Sequence, residues 1–148
     1  MNFIIHVNTI VTNDHGHILL VKEKKEKHLN KLNLPGGHLK PGEKIIEGAK
    51  REVLEEVNSE VEITDLIGVF TGEGEDHYIN FIFAGKLKGE PKANKSEIND
   101  FGWYSIKEIL HEPENNILNP GKLKKAVEMY QSGSLSSLEI IQEEIYPN

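Results

Sequence analysis

The segment from Pro35 to Asn58 constrains the fold more than any other part of the sequence. It begins with Pro35-Gly36-Gly37, and a proline followed by two glycines stops regular structure and permits unusual backbone angles. Apolar residues then recur at spacings of three and four, which predicts a helix over Lys44–Val57 with one apolar stripe. The stripe consists of Ile46, Ala49, Val53 and Val57. Asn58 follows, and asparagine tolerates the left-handed conformation that commonly closes a helix.

Three glutamates crowd one edge of this predicted helix. Glu55 and Glu56 lie three and four positions after Glu52, and residues at those spacings are neighbours on a helix surface. Two carboxylates roughly 6 Å apart repel by about 3 kcal/mol at an effective dielectric constant of about 20. A divalent cation bound between them removes that repulsion, and ligands that are all oxygen favour Mg²⁺ or Mn²⁺ over zinc. The alternative is an ordinary solvated acidic face.

Two neighbouring features favour the cation. Arg51 is the one arginine among the 17 lysine and arginine residues of the chain, which suggests that the acidic cluster needs a planar guanidinium. The glycine- and proline-rich loop that starts with the glycine pair lies directly before the helix, so its carbonyl groups are candidate metal ligands and its N–H groups are candidate donors to phosphate oxygens.

The rest of the sequence alternates between strand and helix patterns. Strands are predicted at Phe3–Thr12, His17–Lys22, Glu60–Phe70, His77–Leu87 and Phe101–Tyr104. The first two flank an Asn13–Gly16 turn and are expected to form a hairpin. Loops are predicted at Thr71–Asp76 and Gly89–Asn99. Further helices are predicted at Ser105–His111, Pro120–Gln131 and, from four spaced apolar residues, within Ser132–Asn148.

This mixture predicts one α/β layered domain, residues 1–148, on a mixed sheet. We expect Phe3, Phe81 and Phe83 in the core, together with Trp103 and Tyr104, and we expect His15 and His17 at the surface. The net charge of −7 makes nucleic acid an unlikely partner. The chain has no cysteine, no apolar run long enough to span a bilayer and no leader pattern, so we expect a cytoplasmic protein.

Residues 37–59 resemble the Nudix box, whose pattern is G-x5-E-x7-R-E-U-x-E-E-x-G-U with U bulky and apolar. Seven of its nine specified positions match: Gly37, Glu43, Arg51, Glu52, Val53, Glu55 and Glu56. Asn58 and Ser59 depart from the final glycine and apolar residue. The resemblance implies an α/β/α sandwich and divalent-metal-dependent hydrolysis of a pyrophosphate linkage in a nucleoside diphosphate derivative.

The resemblance also implies roles for individual residues. Glu52, Glu55, Glu56 and the Gly37 carbonyl would bind Mg²⁺ or Mn²⁺, and Glu43 and Arg51 would orient these carboxylates. Gly36, Gly37 and His38 are expected to contact the substrate. The general base is either Glu52 or Glu55 inside the box, or Glu97 in the loop before Phe101–Tyr104.

Several alternatives stay open at this point. One is a nucleotide-sensing module that binds without cutting, and another is an isomerase on the same scaffold. The complete set of box acids favours a hydrolase. Oxidised nucleoside triphosphates, dinucleoside polyphosphates, ADP-sugars and capped RNA ends are all candidate substrates. A homodimer is expected from the family alone.

Overall fold

The protein is described by a computed structural model, in which residues 1–144 are placed well enough to describe. Its strands are β1 (Phe3–Val11), β2 (Ile18–Glu23), β3 (Leu32–Asn33), β4 (Gly36–His38), β5 (Val61–Glu73), β6 (His77–Leu87) and β7 (Ile98–Tyr104). Its α-helices are α1 (Ile45–Val57), α2 (Ile106–His111) and α3 (Pro120–Gln131). Short 3₁₀ turns occupy Glu26–His28, Glu114–Asn116 and Leu138–Ile140.

Two sheets form the centre of the fold. The first has the strand order β4-β1-β6-β5, in which β1 and β6 are parallel and the other pairs are antiparallel. The second has the order β3-β2-β7 and is antiparallel throughout. The mixed sheet expected from the sequence is therefore confirmed.

Helices cover both faces of this arrangement because alternate residues of the central strands point in opposite directions. On one side, the α1 residues Ala49, Val53 and Val57 pack with Val7 and Phe83. The other side is a second apolar cluster that contains residues of α2 and α3, namely Ile109, Leu123, Ala126 and Val127. The result is the α/β/α sandwich that the resemblance implies.

Three of the four predicted helices are present, and their cap residues lie at or next to the predicted helix ends. Lys44 is the N-cap of α1, and Asn58 closes that helix in the left-handed conformation with φ of 53°. Ser105 caps α2 through a capping box with Glu108. The last helix begins at Pro120, as predicted, after the N-cap Asn119.

The departure of Ser59 from the box pattern is accommodated by hydrogen bonds. Ser59 is buried, and its hydroxyl donates to the Gly89 carbonyl over 3.3 Å and accepts from the Gly89 N–H over 3.2 Å. Val61, two residues later, supplies a buried apolar side chain at the end of the helix.

The predicted hairpin between the first two strands is wrong. Only one bridge, Thr12 to Ile18, connects the strands, because both edges of β1 are already taken by β4 and β6. The Thr12 N–H donates to the Gly85 carbonyl of β6, and β2 continues into the second sheet.

Two other loop predictions are corrected by strand pairing. The glycine pair does not interrupt regular structure, since Gly36 and Gly37 lie in β4 and pair with β1. Of the predicted loop Thr71–Asp76, the first three residues extend β5, because they find backbone partners in Ile79, Tyr78 and His77 of β6.

Two further expectations fail. Within Ser132–Asn148, the described residues 132–144 form a single 3₁₀ turn and no α-helix, and the last four residues lie outside the described part of the chain. Phe3 is 73% exposed, because it lies at the outer end of β1. The other core predictions hold: Phe83 is fully buried, while Phe81, Trp103 and Tyr104 are partly buried against the core.

Among residues 1–144, no helix has the length and apolar character that crossing a membrane requires.

The cap at Asn58 generates a test of the fold. Its side chain donates to the Lys92 carbonyl over 2.8 Å, and its backbone holds a positive φ. We expect Asn58→Ala to lower the unfolding free energy by about 2 kcal/mol, because alanine loses the hydrogen bond and disfavours the left-handed conformation. Asn58→Gly loses only the hydrogen bond, so its effect should stay below about 1 kcal/mol. Urea unfolding measures the unfolding free energy of both variants. Equal losses would contradict a contribution from the left-handed backbone conformation at position 58.

Candidate active site

A cavity of about 1070 Å³ lies against the acidic edge of α1. Glu52, Glu55 and Glu56 contribute to its wall, and Gly36, Gly37 and His38 of β4 lie beside them. Strands β1, β5 and β6 and the first turn of α3 form further walls. The structure therefore brings the predicted metal-binding and substrate-binding residues to one place.

Arg51 connects the acids of this wall to one another. Its Nε and Nη2 donate to the two carboxylate oxygens of Glu43 over 2.6 and 3.0 Å, which is a bidentate pair. Its Nη1 donates to Glu52 Oε1 over 2.9 Å and to Glu55 Oε2 over 3.1 Å. Nη2 also donates to the His38 carbonyl over 3.0 Å. These bonds lower the pKa of Glu43 and raise the pKa of Arg51, since each stabilises the charged form.

Strand β4 brings backbone against the carboxylates because it has no side chains at two positions. A Cβ on Gly37 would lie 2.7 Å from Glu52 Oε1, and a Cβ on Gly36 would lie 2.1 Å from the Val7 carbonyl oxygen. The Gly36 N–H donates to Glu56 Oε1 over 2.8 Å. Glycine is therefore required at both positions, because the backbone of β4 lies too close to Glu52 and Val7 for a Cβ. This close approach, and not an interruption of regular structure, explains the glycine pair.

Burial sets the protonation of two acids. The pKa of Glu56 is raised well above its usual value, first by burial and then by the charges of Glu23, Glu52 and Glu97, against the opposing bond from Gly36. The pKa of Glu52 is also raised, mainly by burial, although Arg51 opposes this. A cation at this wall would favour the ionised form of both groups.

The donors fit a hard divalent cation but are not already gathered around one. Within residues 1–144, no three histidine, aspartate or glutamate side chains converge as a ready metal cluster. Arg51 engages Glu52 and Glu55, and Gly36 engages Glu56, which accounts for this. The fit rests on oxygen donors alone and on the Gly37 backbone, which has no Cβ to keep the Glu52 carboxylate away.

Glu97 lies on the cavity wall although it is distant in sequence from the helix. Its charge contributes to the raised pKa values of Glu52 and Glu56. Asn94 fixes the loop that carries Glu97, since its side chain donates to the Glu55 carbonyl over 2.7 Å and its N–H donates to the Glu56 carbonyl over 2.9 Å.

His38 lies in the cavity wall, where its ring stacks on that of His6 with 4.6 Å between centroids. His15 and His17 are not among the cavity residues, as expected for side chains next to a turn.

Sequence reasoning missed part of the site. The sequence patterns assign no role to Asn94, His6, Asn80 or Lys122. These residues come from β1, β6, α3 and a loop, so no local spacing connects them. The one available signal was a polar residue inside each of the two apolar strands, at His6 and Asn80.

The NUDIX domain family profile matches residues 3–124, which is most of the chain. The chain belongs to the NUDIX domain family. The match contains all seven pattern residues, of which Gly37, Glu52, Glu55 and Glu56 line the cavity with Arg51, Glu43 bonds to Arg51, and Val53 lies in the core.

Proteins with similar sequence and structure agree with NUDIX membership. A putative 8-oxo-dGTP diphosphatase of Bacillus subtilis is 33% identical over 96 residues, which cover 65% of this chain and 62% of the relative. An ADP-ribose pyrophosphatase of Methanocaldococcus jannaschii is 31% identical over 104 residues, covering 65% of this chain and 61% of the relative. The chain thus spans about three fifths of the length of these curated relatives.

A solved NUDIX hydrolase from Nitrosomonas europaea superimposes with a TM-score of 0.84 at 30% identity. The superposition covers 95% of this chain and 97% of that one, so the shared fold includes nearly the whole molecule.

The buried position of Glu56 predicts how stability depends on pH without metal. Its folded-state pKa lies above the unfolded value of about 4.3, so the stability that the neutral form contributes is present below that pH and is lost as pH rises through the folded-state pKa. Glu56→Gln keeps an acceptor for Gly36 and carries no charge. We expect its thermal midpoint in EDTA to equal that of the wild type near pH 4 and to exceed it increasingly toward pH 8.

The slope of the difference is limited to about 1.4 kcal/mol per pH unit. Glu47→Gln is the matched control, because Glu47 is an exposed acid on the same helix. A Glu56→Gln variant that is less stable than the wild type at pH 8 in EDTA would contradict a destabilising effect of the buried Glu56 charge.

Proposed function

We propose that this chain is a single domain, residues 1–148, that hydrolyses a pyrophosphate linkage in a nucleoside diphosphate derivative with Mg²⁺ or Mn²⁺. The observation that carries the proposal is the wall of the cavity, where three helix carboxylates, one arginine and the glycine pair of β4 meet. Family membership supports it, and so do the relatives named for 8-oxo-dGTP and ADP-ribose, which are both nucleoside phosphoanhydrides.

Glu52, Glu55, Glu56 and the Gly37 carbonyl are the proposed metal ligands. When bound there, the cation would neutralise phosphate charge, orient the substrate and make a water molecule more acidic. Arg51 and Glu43 act on the ligands themselves. Because Arg51 holds both Glu52 and Glu55, and Glu43 fixes the guanidinium from the far side, the carboxylates are positioned before a substrate arrives.

The substrate is proposed to lie along β4 with its phosphates near Gly36, Gly37 and His38. Three lysines of the same cavity, Lys25, Lys40 and Lys125, supply positive charge at its rim. This matters because the chain carries a net charge of −7, so an anionic substrate needs local cations to enter.

Glu97 is the favoured general base. Glu52 and Glu55 both accept a hydrogen bond from Arg51, so one oxygen of each carboxylate is already engaged. Among the described residues, no donor bonds to the Glu97 carboxylate, and Glu97 lies on the wall of the same cavity. It would accept the proton of the attacking water.

A small nucleotide as the partner, a cytoplasmic location and a homodimer stay predictions. The alternative function is a non-catalytic module that binds nucleotides, and a hydrolysis assay separates it from a hydrolase.

The direct test is a panel of nucleoside triphosphates, ADP-sugars and dinucleoside polyphosphates, assayed by chromatography for release of the two phosphorylated products of each compound, with excess Mg²⁺ and with EDTA. We expect release from at least one class in Mg²⁺ and none in EDTA. Glu56→Gln should lower kcat at least about a hundredfold, more than loss of an outer partner does. Glu47→Gln should keep normal turnover. Binding without release from any member would support the sensor.

The assignment of the base predicts the behaviour of Glu97→Gln on the best substrate of that panel. We expect kcat to fall by about 10²–10⁴, which is the usual contribution of a positioned base, with little change in KM. Glu90→Gln, an exposed acid in the same loop, serves as the control. Near-normal turnover in Glu97→Gln would return the role to Glu52 or Glu55.

A further inference from the structure

A row of four side chains crosses the first sheet and faces the cavity. Strand register aligns His38 of β4 with His6 of β1, His6 with Asn80 of β6, and Asn80 with Phe70 of β5. All four residues line the cavity, and each lies on a different strand. The row is a continuous floor because residues that pair across strands point to the same face.

Two polar atoms of this floor are buried and lack a partner. Asn80 Oδ1 and His6 Nε2 have no hydrogen bond within the described residues. The orientation of the Asn80 amide is fixed, because its Nδ2 donates to Asn8 Oδ1 over 2.9 Å and Asn8 Nδ2 in turn donates to the Leu34 carbonyl over 3.0 Å. Asn80 therefore presents an acceptor. Leaving such an atom unpaired is costly, which points to a ligand that supplies the missing donor.

Lys122 brings a cation to the same floor. It lies in the first turn of α3 and lines the cavity, and no carboxylate of residues 1–144 is within ion-pair distance of its amine. A lysine at this end of a helix opposes the helix dipole, so it contributes nothing to the stability of α3. Burial lowers its pKa to about 8. Its charge helps to lower the pKa of His6 to about 4, after burial and the charge of His38, so His6 is neutral at pH 7.

We propose that Lys122 and Asn80, beside His6, read the edge of a nucleobase that carries a carbonyl next to a ring N–H. Lys122 would donate to the carbonyl and Asn80 Oδ1 would accept from the N–H. Guanine, hypoxanthine, uracil and thymine share this edge, whereas adenine and cytosine present the reverse pattern of an amino group beside a bare ring nitrogen. The inference rests on the proposed function, which makes the substrate a nucleoside diphosphate derivative. It adds that the substrate is selected by its base.

The composition of the floor favours a base over a second phosphate. Lys122 alone would attract a phosphate here, because the neutral His6 imidazole offers it no positive charge and Asn80 Oδ1 would repel it. Phe70 and Tyr78 lie beside the polar groups in the cavity wall, and their ring faces suit stacking on a planar base.

The experiment measures binding of nucleoside monophosphates in EDTA, because base recognition at this floor does not need the metal. Calorimetry would compare IMP with AMP and UMP with CMP. We expect IMP and UMP to bind about tenfold or more tightly than their partners. N1-methyl-IMP, which lacks the ring N–H opposite Asn80, should bind as weakly as AMP, and this comparison needs no variant.

Lys122→Met should lower the affinity for IMP by about 10- to 100-fold and change that for AMP by less than about threefold. Its thermal midpoint should hold or rise, because a buried cation is removed. Lys107→Met is the control, since Lys107 is an exposed lysine of α2 that is not among the cavity residues. It should leave the preference for IMP unchanged.

Equal affinity of the wild type for IMP and AMP would overturn the inference, and so would an equal loss for both in Lys122→Met, which would make Lys122 a phosphate anchor. These outcomes are separate from those of the hydrolysis assay. Base selectivity without Mg²⁺-dependent hydrolysis would overturn only the proposed function, and hydrolysis without base selectivity would overturn only this inference.

Discussion

The hydrogen bonds of Arg51 are the interaction on which the site depends. One guanidinium holds Glu43 on one side, Glu52 and Glu55 on the other, and the His38 carbonyl at the end of β4. A lysine could not satisfy these groups at once, because its single ammonium lacks the planar arrangement of donors. Arg51 thereby does two things: it offsets the repulsion within the acidic cluster, and it fixes α1 against the glycine strand that borders the cavity.

Packing decides where this acidic edge faces. The apolar stripe of α1 is buried on the first sheet through Ala49, Val53 and Val57, which turns the adjacent edge toward β4. Glu56 consequently lies at the boundary of the core and is only 7% exposed. On the other side, the first turn of α3 contributes Lys122 to the same cavity that His6 and Asn80 line.

Local signals in the sequence predicted the elements whose ends are set by their own residues. Helix α3 begins at Pro120 behind the Asn119 cap, and α1 ends at Asn58 because asparagine accepts a positive φ. Most of the failures concern pairing between distant segments. The first strand takes β4 and β6 as neighbours instead of β2, and Gly36 and Gly37 join a strand because β1 offers them partners. Backbone pairing of this kind leaves no trace in residue spacing.

By itself, the sequence determined the family, the acidic edge and the role of the single arginine, because these depend on residues within one helix and the turn before it. Helical geometry fixes which of their side chains are neighbours. Only the tertiary structure decided that Glu97, His6, Asn80 and Lys122 share one cavity, since they lie on separate elements. Their proximity follows from strand register and from the layer in which each helix packs, which are properties of the folded chain as a whole.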